Sequence, residues 1–452
     1  MMKAIPVIAI FDVGKTNKKL FLFDENYRIV FERSARFTET EDEDGDPCEN
    51  LESLRLSVFD SLREVFKNPQ FEIKAINFAT YGASFVYIDK EGKPLTPLYN
   101  YLKAYPDALK EQFYKQYGGE DTLSKETASP VLGSLNSGMQ IYRLKYEKPG
   151  LFADIQYALH LPQYLSYLIS GEAHSDITSI GCHTHLWDFN RHDYHHWVRA
   201  EGIDKKLAPV IGSDQVVPAA FPGNNYAVGA GLHDSSAALI PYLVSFHEPF
   251  VLLSTGTWSI SLNPFNAEAL TEEELKQDCL CYLEYQGRPV KASRLFSGYE
   301  HEQEVKRIAT HFNTDAFNYR NIAYDPSVIA ALSKKEKTGS FSERNLNEYA
   351  DDVAAYHQLI QDLVAQQLVA TNLVLKGTAV KRIFVDGGFS KNIIFMNLLA
   401  AAFPGLEVFA AHMAQATAVG AALAIHSAWN TKTLPNDIIA LKYYSTLHPQ
   451  HS

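Results

Sequence analysis

Asp12 follows the hydrophobic run Ile8-Ala9-Ile10-Phe11 and stands two residues before Gly14, in the segment Gly14-Lys15-Thr16-Asn17. A carboxylate there can hold a divalent cation against phosphate oxygens, directly or through water. It can also simply cap its own turn. The neighbours favour the first use: Gly14 admits close backbone approach, Thr16 and Asn17 add donors, and Lys15, Lys18 and Lys19 add positive charge. The same design returns late in the chain. Val251-Leu252-Leu253-Ser254 runs into Thr255-Gly256-Thr257 and leaves through Trp258-Ser259-Ile260. Each run reads as a β-hairpin whose turn offers backbone N–H groups and a hydroxyl. A matched pair of such turns predicts two similar half-domains gripping a polyphosphate between them, and hence nucleotide-dependent phosphoryl transfer.

A second acid completes the chemistry. His233-Asp234 ends the extended stretch from Tyr226 and opens a helix of small residues, Ser235-Ser236-Ala237-Ala238-Leu239-Ile240. Ligands of open α/β sheets gather at the carboxyl ends of strands. There Asp234 can accept a proton from a substrate hydroxyl while a γ-phosphate arrives in line. It can equally be a helix N-cap, worth about 1 kcal/mol. Asp386-Gly387-Gly388 follows Ile383-Phe384-Val385, and its paired glycines leave room for a flat base or ribose.

The elements that must position these groups are legible by period. Leu51, Leu54, Val58, Leu62 and Phe66 have helical spacing, and Ala75 to Thr80 reads as a buried strand. Strand–helix–strand alternation predicts a parallel or mixed sheet. The acidic stretch Glu39 to Pro47 reads as a solvated loop, Leu151 to Ile169 as two short helices interrupted at Pro162, and Asp107 to Glu201 as mainly helical. Pro241 to Pro249 marks a boundary, dividing the chain into 1–242 and 243–452. After it the plan restarts with a hairpin, a strand at Cys281 to Tyr285, a long helix at Tyr356 to Leu375, the strand Arg382 to Val385 and a small-residue helix from Ala414 to Ala428. The recurrence suggests duplication.

Composition bounds the partners. The 452-residue chain, 46% hydrophobic and 21% charged, is ordinary for a globular protein of two domains. A formal charge of −12 argues against nucleic acid or an anionic membrane as the main partner. The start, Met1-Met2-Lys3-Ala4-Ile5-Pro6, lacks a signal-peptide stretch, and no apolar run approaches the roughly 20 residues that span a bilayer. Cys48, Cys182, Cys279 and Cys281 are too irregular for a disulfide framework, and Cys279-x-Cys281 reads as strand packing. A cytoplasmic protein is expected. His183, His185, His192, His195 and His196 invite a metal reading, but their spacing lacks a ligand pattern. The Gly-x-x-x-x-Gly-Lys-Ser pattern of P-loop enzymes is absent.

These elements, in this order, resemble the FGGY carbohydrate kinases of the actin–hexokinase–heat-shock-ATPase superfamily. The likeness runs from Asp12 to the helix after Gly420, and the rhamnulokinase branch, then the fuculokinase branch, is most similar. It is carried by Thr80 to Asp89, Leu161 to Gly171, His233 to Ala237 and Ser254 to Ser259; the His-Asp and Gly-Thr-Trp-Ser pieces are the most specific. The resemblance implies two ribonuclease-H-like α/β domains around a deep cleft, using ATP and Mg²⁺ to phosphorylate a terminal hydroxyl of a ketose. It implies Asp234 as general base, Asp12 and Asp234 toward the ion, Gly14, Thr16, Asn17, Gly256 and Thr257 at the phosphates, Gly387 and Gly388 beside adenosine, Gln303 on the nucleotide side, and Gly82 and His233 at the sugar. It is compatible with a homodimer. Rhamnulose phosphorylated at O1 is the first expectation and fuculose the second.

The chain departs from the pattern at Lys15, Lys19 and Asp386, where the family carries a small residue, Arg and Gly, and Val131 to Asn136 matches the sugar loop loosely. Those departures motivate a rival reading, a nucleotide or sugar sensor without turnover. Retention of both Asp12 and Asp234 argues for catalysis, since a binder needs neither.

Overall fold

Alternate residues of the first strand enter different cores. Val7, Ala9 and Phe11 pack with the first helix, while Ile8 and Ile10 face a helix from the far end of the chain. The computed structural model describes residues 3–15, 18–35, 39–82, 84–220, 225–332, 340–413 and 415–445; Thr16 and Asn17 lie outside them.

The N-terminal half is built on a seven-stranded sheet. Its strands are β1 (Ile5–Val13), β2 (Lys18–Asp24), β3 (Ile29–Ala35), β4 (Phe71–Thr80), β5 (Val216–Pro218), β6 (Ala227–Gly229) and β7 (Leu232–His233). The order is β5-β6-β4-β1-β2-β3, with β7 also on β4. β1, β2 and β3 form an antiparallel meander, and β4 and β6 continue it in parallel. Helix α1 (Leu51–Lys67), capped by the Asn50 side chain, buries Leu51, Leu54, Val58, Leu62 and Val65 against this sheet.

The second sheet, also seven-stranded, repeats the plan. It contains β8 (Phe250–Thr255), β9 (Ser259–Asn263), β10 (Cys279–Leu283), β11 (Pro289–Leu295), β12 (Arg382–Gly387), β13 (Glu407–His412) and β14 (Ala440–Tyr444), in the order β10-β11-β9-β8-β12-β13-β14. Again an antiparallel meander, β11-β9-β8, is followed by parallel β12 and β13. Two ribonuclease-H-like domains are the result.

The remaining helices join the halves. α2 (Leu161–Ser170) packs on the first sheet; α3 (Asp234–Ser245) leaves it; α4 (Ser297–Phe312), α5 (Asp352–Leu375) and α6 (Ile393–Ala402) belong to the second; and α7 (Ala416–Ala424) follows β13. α3 sends Leu239 and Tyr242 into the core of the second sheet, beside Phe250, Leu252 and Phe384. α7 sends Ala418, Val419 and Ala421 into the first, beside Ile8, Ile10 and Phe21. Each half thus covers the other's sheet. Asn77 of β4 ties the exchange: its Nδ2 donates to Ala421 O at 2.8 Å and its Oδ1 accepts from Gly231 N.

Several local expectations change. Pro162 does not interrupt a helix; it lies in the first turn of α2, where a missing N–H costs nothing, and a strand (Tyr157–His160) separates α2 from the helix Pro149–Asp154. The acidic stretch is no mere solvated loop. Glu39–Glu41 and Pro47–Glu49 pair as a small hairpin, and Lys103 Nζ meets Asp42, Asp44 and Asp46 at 2.5, 2.7 and 3.1 Å. The extended stretch from Tyr226 is two strands, β6 and β7, broken where Gly231 takes a left-handed φ of +81°. α3 passes through Pro241 to Ser245, and the small-residue helix ends at Ala424, with His426–Trp429 a separate turn of helix. Among the described residues no helix is long and apolar enough to cross a membrane.

Candidate active site

Asp12 lies next to the end of β1, paired with Lys19 on β2 and Ala79 on β4. Its carboxyl is pushed up to about 7, first by loss of water around it and then by the nearby Asp234 carboxylate; the Lys19 ammonium acts the other way. Asp234 is the first residue of α3. Desolvation pushes it up to about 6, against donation from the Ser235 N–H at 2.6 Å and hydroxyl at 3.3 Å. The two acids, far apart in sequence, therefore share one electrostatic environment. Among the described residues none donates a hydrogen bond to the Asp12 carboxylate. The first turn itself is described at Gly14 and Lys15 only, so the expectations for Thr16 and Asn17 fall outside the described residues.

His233, buried at the end of β7, places Nε2 3.3 Å from Asp234 Oδ1 and donates its backbone N–H to Thr178 Oγ1. Burial pulls its imidazole down to about 4. Gly82 lies against it: a Cβ there would stand 2.8 Å from His233 Cδ2 and 3.5 Å from Cys182 Sγ. Gly82 and His233 are thus brought together beside Asp234. Tyr101 completes this wall; burial raises its phenol first, and the Asp234 and Glu49 carboxylates add to the rise. Lys15 lies 6.0 Å from the Tyr101 ring centre and 3.7 Å from Glu49.

On the other half, Gly256 closes its turn with N–H to Trp258 O at 2.8 Å, and both Gly256 and Thr257 are exposed. Thr255 pins the Asp386–Gly388 turn to this hairpin. Its hydroxyl donates to Asp386 O at 2.5 Å and accepts from Phe389 N at 3.0 Å, and its carbonyl accepts from Gly388 N at 2.8 Å. Gly387 has φ +89°, and a Cβ would meet Thr255 O at 1.9 Å, so this glycine's bareness is consumed by the protein. Gly388 keeps open space, its nearest obstacle lying at 3.9 Å. The N-terminus of α4 rests on the turn, where a Gly298 Cβ would lie 1.9 Å from Gly256 O. The Tyr299 N–H donates to Thr257 O at 3.2 Å, so the first turn of α4 is fixed directly against Gly256 and Thr257. Gln303 is exposed, on the same face of α4 as Tyr299.

Stacking and electrostatic neighbours link the two sides. His233 stacks on Tyr282 of β10, with ring centres 5.4 Å apart and planes 28° off parallel. Arg294 of β11 acts electrostatically on Tyr282, is held by Asp278 at 2.6 and 3.1 Å, and lies 5.3 Å from the Trp258 ring centre. Tyr101, Tyr282 and Arg294 were not singled out in the sequence. Each is an ordinary strand or loop residue whose role depends on a partner from a distant segment.

Residues 7–240 match the sequence model for the FGGY family of carbohydrate kinases, N-terminal domain, and residues 247–433 that for the carbohydrate kinase FGGY, C-terminal domain. The chain belongs to this family. A rhamnulokinase from Mannheimia succiniciproducens is 23% identical over 271 residues, 56% of this chain and 52% of the relative, so the match spans about half that relative's length. Among solved structures, a carbohydrate kinase from Novosphingobium aromaticivorans superposes with a TM-score of 0.81 at 23% identity, covering 98% of this chain and 95% of its own. A ligand-bound xylulose kinase from Lactobacillus acidophilus gives 0.78 at 16% identity, covering 97% and 93%. These two structures share the fold, over nearly the full length of each chain.

Proposed function

We propose that this FGGY protein is an ATP- and Mg²⁺-dependent kinase that phosphorylates a terminal hydroxyl of a ketose. The observation that carries the reading is the convergence of Asp12 and Asp234 where β1 and β7 flank Ala79 of β4, with stacking and electrostatic neighbours running from their side to the Gly256 turn. In the proposed division, residues 1–242 hold the sugar and the base, and residues 243–452 hold the nucleotide. Gly256, Thr257 and the N-terminus of α4 receive phosphate oxygens, Gly387 and Gly388 flank the adenosine, and Gln303 lies on the nucleotide side.

Asp234 acts as general base. With its carboxyl at about 6 it is mostly ionised at neutral pH, yet more basic than an ordinary aspartate. It takes the proton of the sugar hydroxyl as the new oxygen–phosphorus bond forms and the bond between the γ-phosphorus and the bridging oxygen breaks, leaving ADP. The donor set fits Mg²⁺: Asp12 and Asp234 offer hard carboxylate oxygens, and their raised proton affinities mark negative charge short of a counter-ion. When bound, the ion would neutralise charge on the phosphate oxygens. His233 sets Nε2 3.3 Å from Asp234 Oδ1, and the bare Gly82 lets the His233 ring lie close against its backbone.

Rhamnulose, phosphorylated at O1, is the first substrate to test, supported by the rhamnulokinase relative; fuculose is the second. Measuring ADP release over ketoses, pentuloses and polyols tests the activity. Asp234→Asn should lower turnover by about 100- to 10,000-fold while retaining ATP binding. Full activity in that variant would remove Asp234 from the role. ATP binding without ADP release on any sugar would favour the sensor.

A further inference from the structure

We propose that Cys182, His183 and His233 form a binding site for one zinc-class divalent ion. Each offers one ligand atom, and the three atoms lie within 4.8 Å of one another, all on buried residues. The polar neighbours of the two imidazoles leave one lone pair available on each. His183 Nδ1 lies 3.1 Å from Leu135 O, an atom that only accepts, so Nδ1 carries the hydrogen and Nε2 the lone pair. His233 Nε2 lies 3.3 Å from the Asp234 carboxylate, whose charge favours the hydrogen on Nε2 and leaves the lone pair on Nδ1. That Nδ1 is fully buried and has no hydrogen-bond partner among the described residues. A ligand imidazole whose second nitrogen donates to a carbonyl or carboxylate is the usual supporting arrangement of metal-bound histidine.

The third donor is the Cys182 thiol, which now donates to Ser179 O at 3.1 Å. On binding, its S–H bond breaks, a sulfur–metal bond forms and one proton passes to the buffer. Two nitrogens and one sulfur suit Zn²⁺ and Co²⁺ and are poor ligands for Mg²⁺, which demands oxygen. Three protein ligands leave the fourth position of a tetrahedral ion to water. Two other clusters lack this availability. His195 Nε2 is engaged with Glu126 Oε2 at 2.7 Å and its Nδ1 accepts from Trp197 N–H, while Lys103 already occupies Asp42, Asp44 and Asp46.

The site shares His233 with the sugar wall proposed above. On that reading, the ion and the sugar compete for the same space.

Co²⁺ titration of the nucleotide-free, Mg²⁺-free protein tests binding without any turnover. One equivalent should bind with thiolate-to-cobalt charge-transfer absorption and release of one proton, and Zn²⁺ should displace it. Cys182→Ser should abolish the band, and His183→Gln should weaken binding at least tenfold. No band in the folded wild-type protein, or a band that persists in Cys182→Ser, overturns the site. In the kinase assay Zn²⁺ should raise the sugar KM and leave the ATP KM unchanged. Inhibition relieved by excess Mg²⁺ and equal in Cys182→Ser would place the ion at Asp12 and Asp234 instead. A protein that binds Co²⁺ in this way but phosphorylates no sugar refutes the kinase reading alone; an active kinase without the band refutes the metal site alone.

Discussion

Replacing Gly420 with alanine puts the exchange of helices between the two halves to a quantitative test. A Cβ on Gly420 would stand 1.8 Å from Ala237 O and 2.6 Å from the same carbonyl carbon. Both obstacles are backbone atoms of α3, which no change of rotamer can move. Ordinary contact begins near 3.4 Å, so α3 and α7 must part by about 1.6 Å. Overpacking costs about 1 to 3 kcal/mol, and a rigid obstacle puts this case near the upper end. The displacement also reaches catalysis. Ala237 is within one turn of Asp234, and an error of about 1 Å at a reacting group can cost on the order of 100-fold in rate. Gly150→Ala is the control: it lies in the helix Pro149–Asp154, a Cβ there meets nothing, and the change should be neutral or stabilise by up to about 1 kcal/mol. Urea unfolding and kcat on the accepted sugar supply the two readouts. Wild-type stability in Gly420→Ala would refute the packing argument. Lost stability with unchanged kcat would sever helix spacing from the position of Asp234.

Asp12 holds its proton up to about 7 in the fold, against an ordinary 3.8, so its contribution to stability is greatest in acid and falls as pH rises between those values. Asp12→Asn should therefore raise the melting temperature at pH 8 more than at pH 4, on the order of 1 kcal/mol, while weakening Mg²⁺-dependent ATP turnover; equal melting at both pH values would contradict the assigned burden. Lys103→Met strands Asp42, whose side chain is fully buried, together with Asp44 and Asp46, and should cost about 3 kcal/mol in urea unfolding; a loss below about 1 kcal/mol would mean the clamp is solvated. Gly82→Ala pushes on the His233 ring and should raise the sugar KM at least several-fold with little effect on ATP binding; an unchanged KM would take Gly82 out of the sugar wall.

Both hairpins, α1, β4 and the opening of α3 were legible because each is written in local chemistry: a period of two or 3.6, a glycine at a turn, an acid at a strand's end. Repetition of that local grammar also gave the two-domain plan and, through the motifs around Asp12, His233-Asp234 and Gly256-Thr257, the family. The errors arose where local signals meet distant partners. Glu39 to Pro47 looks solvated until Lys103 arrives. Pro162 alone was a misreading of a local rule, since proline starts helices as readily as it breaks them.

The chain's own order of residues decided which elements form and which chemical groups they carry. It could not decide what those groups meet. That Asp12 feels Asp234, that Tyr282 stacks on His233, and that His233 joins Cys182 and His183 are consequences of α3 and α7 each crossing to the other sheet. Electrostatics, stacking and ligation depend on distance in space, and only the folded exchange of helices brings these residues within reach of one another.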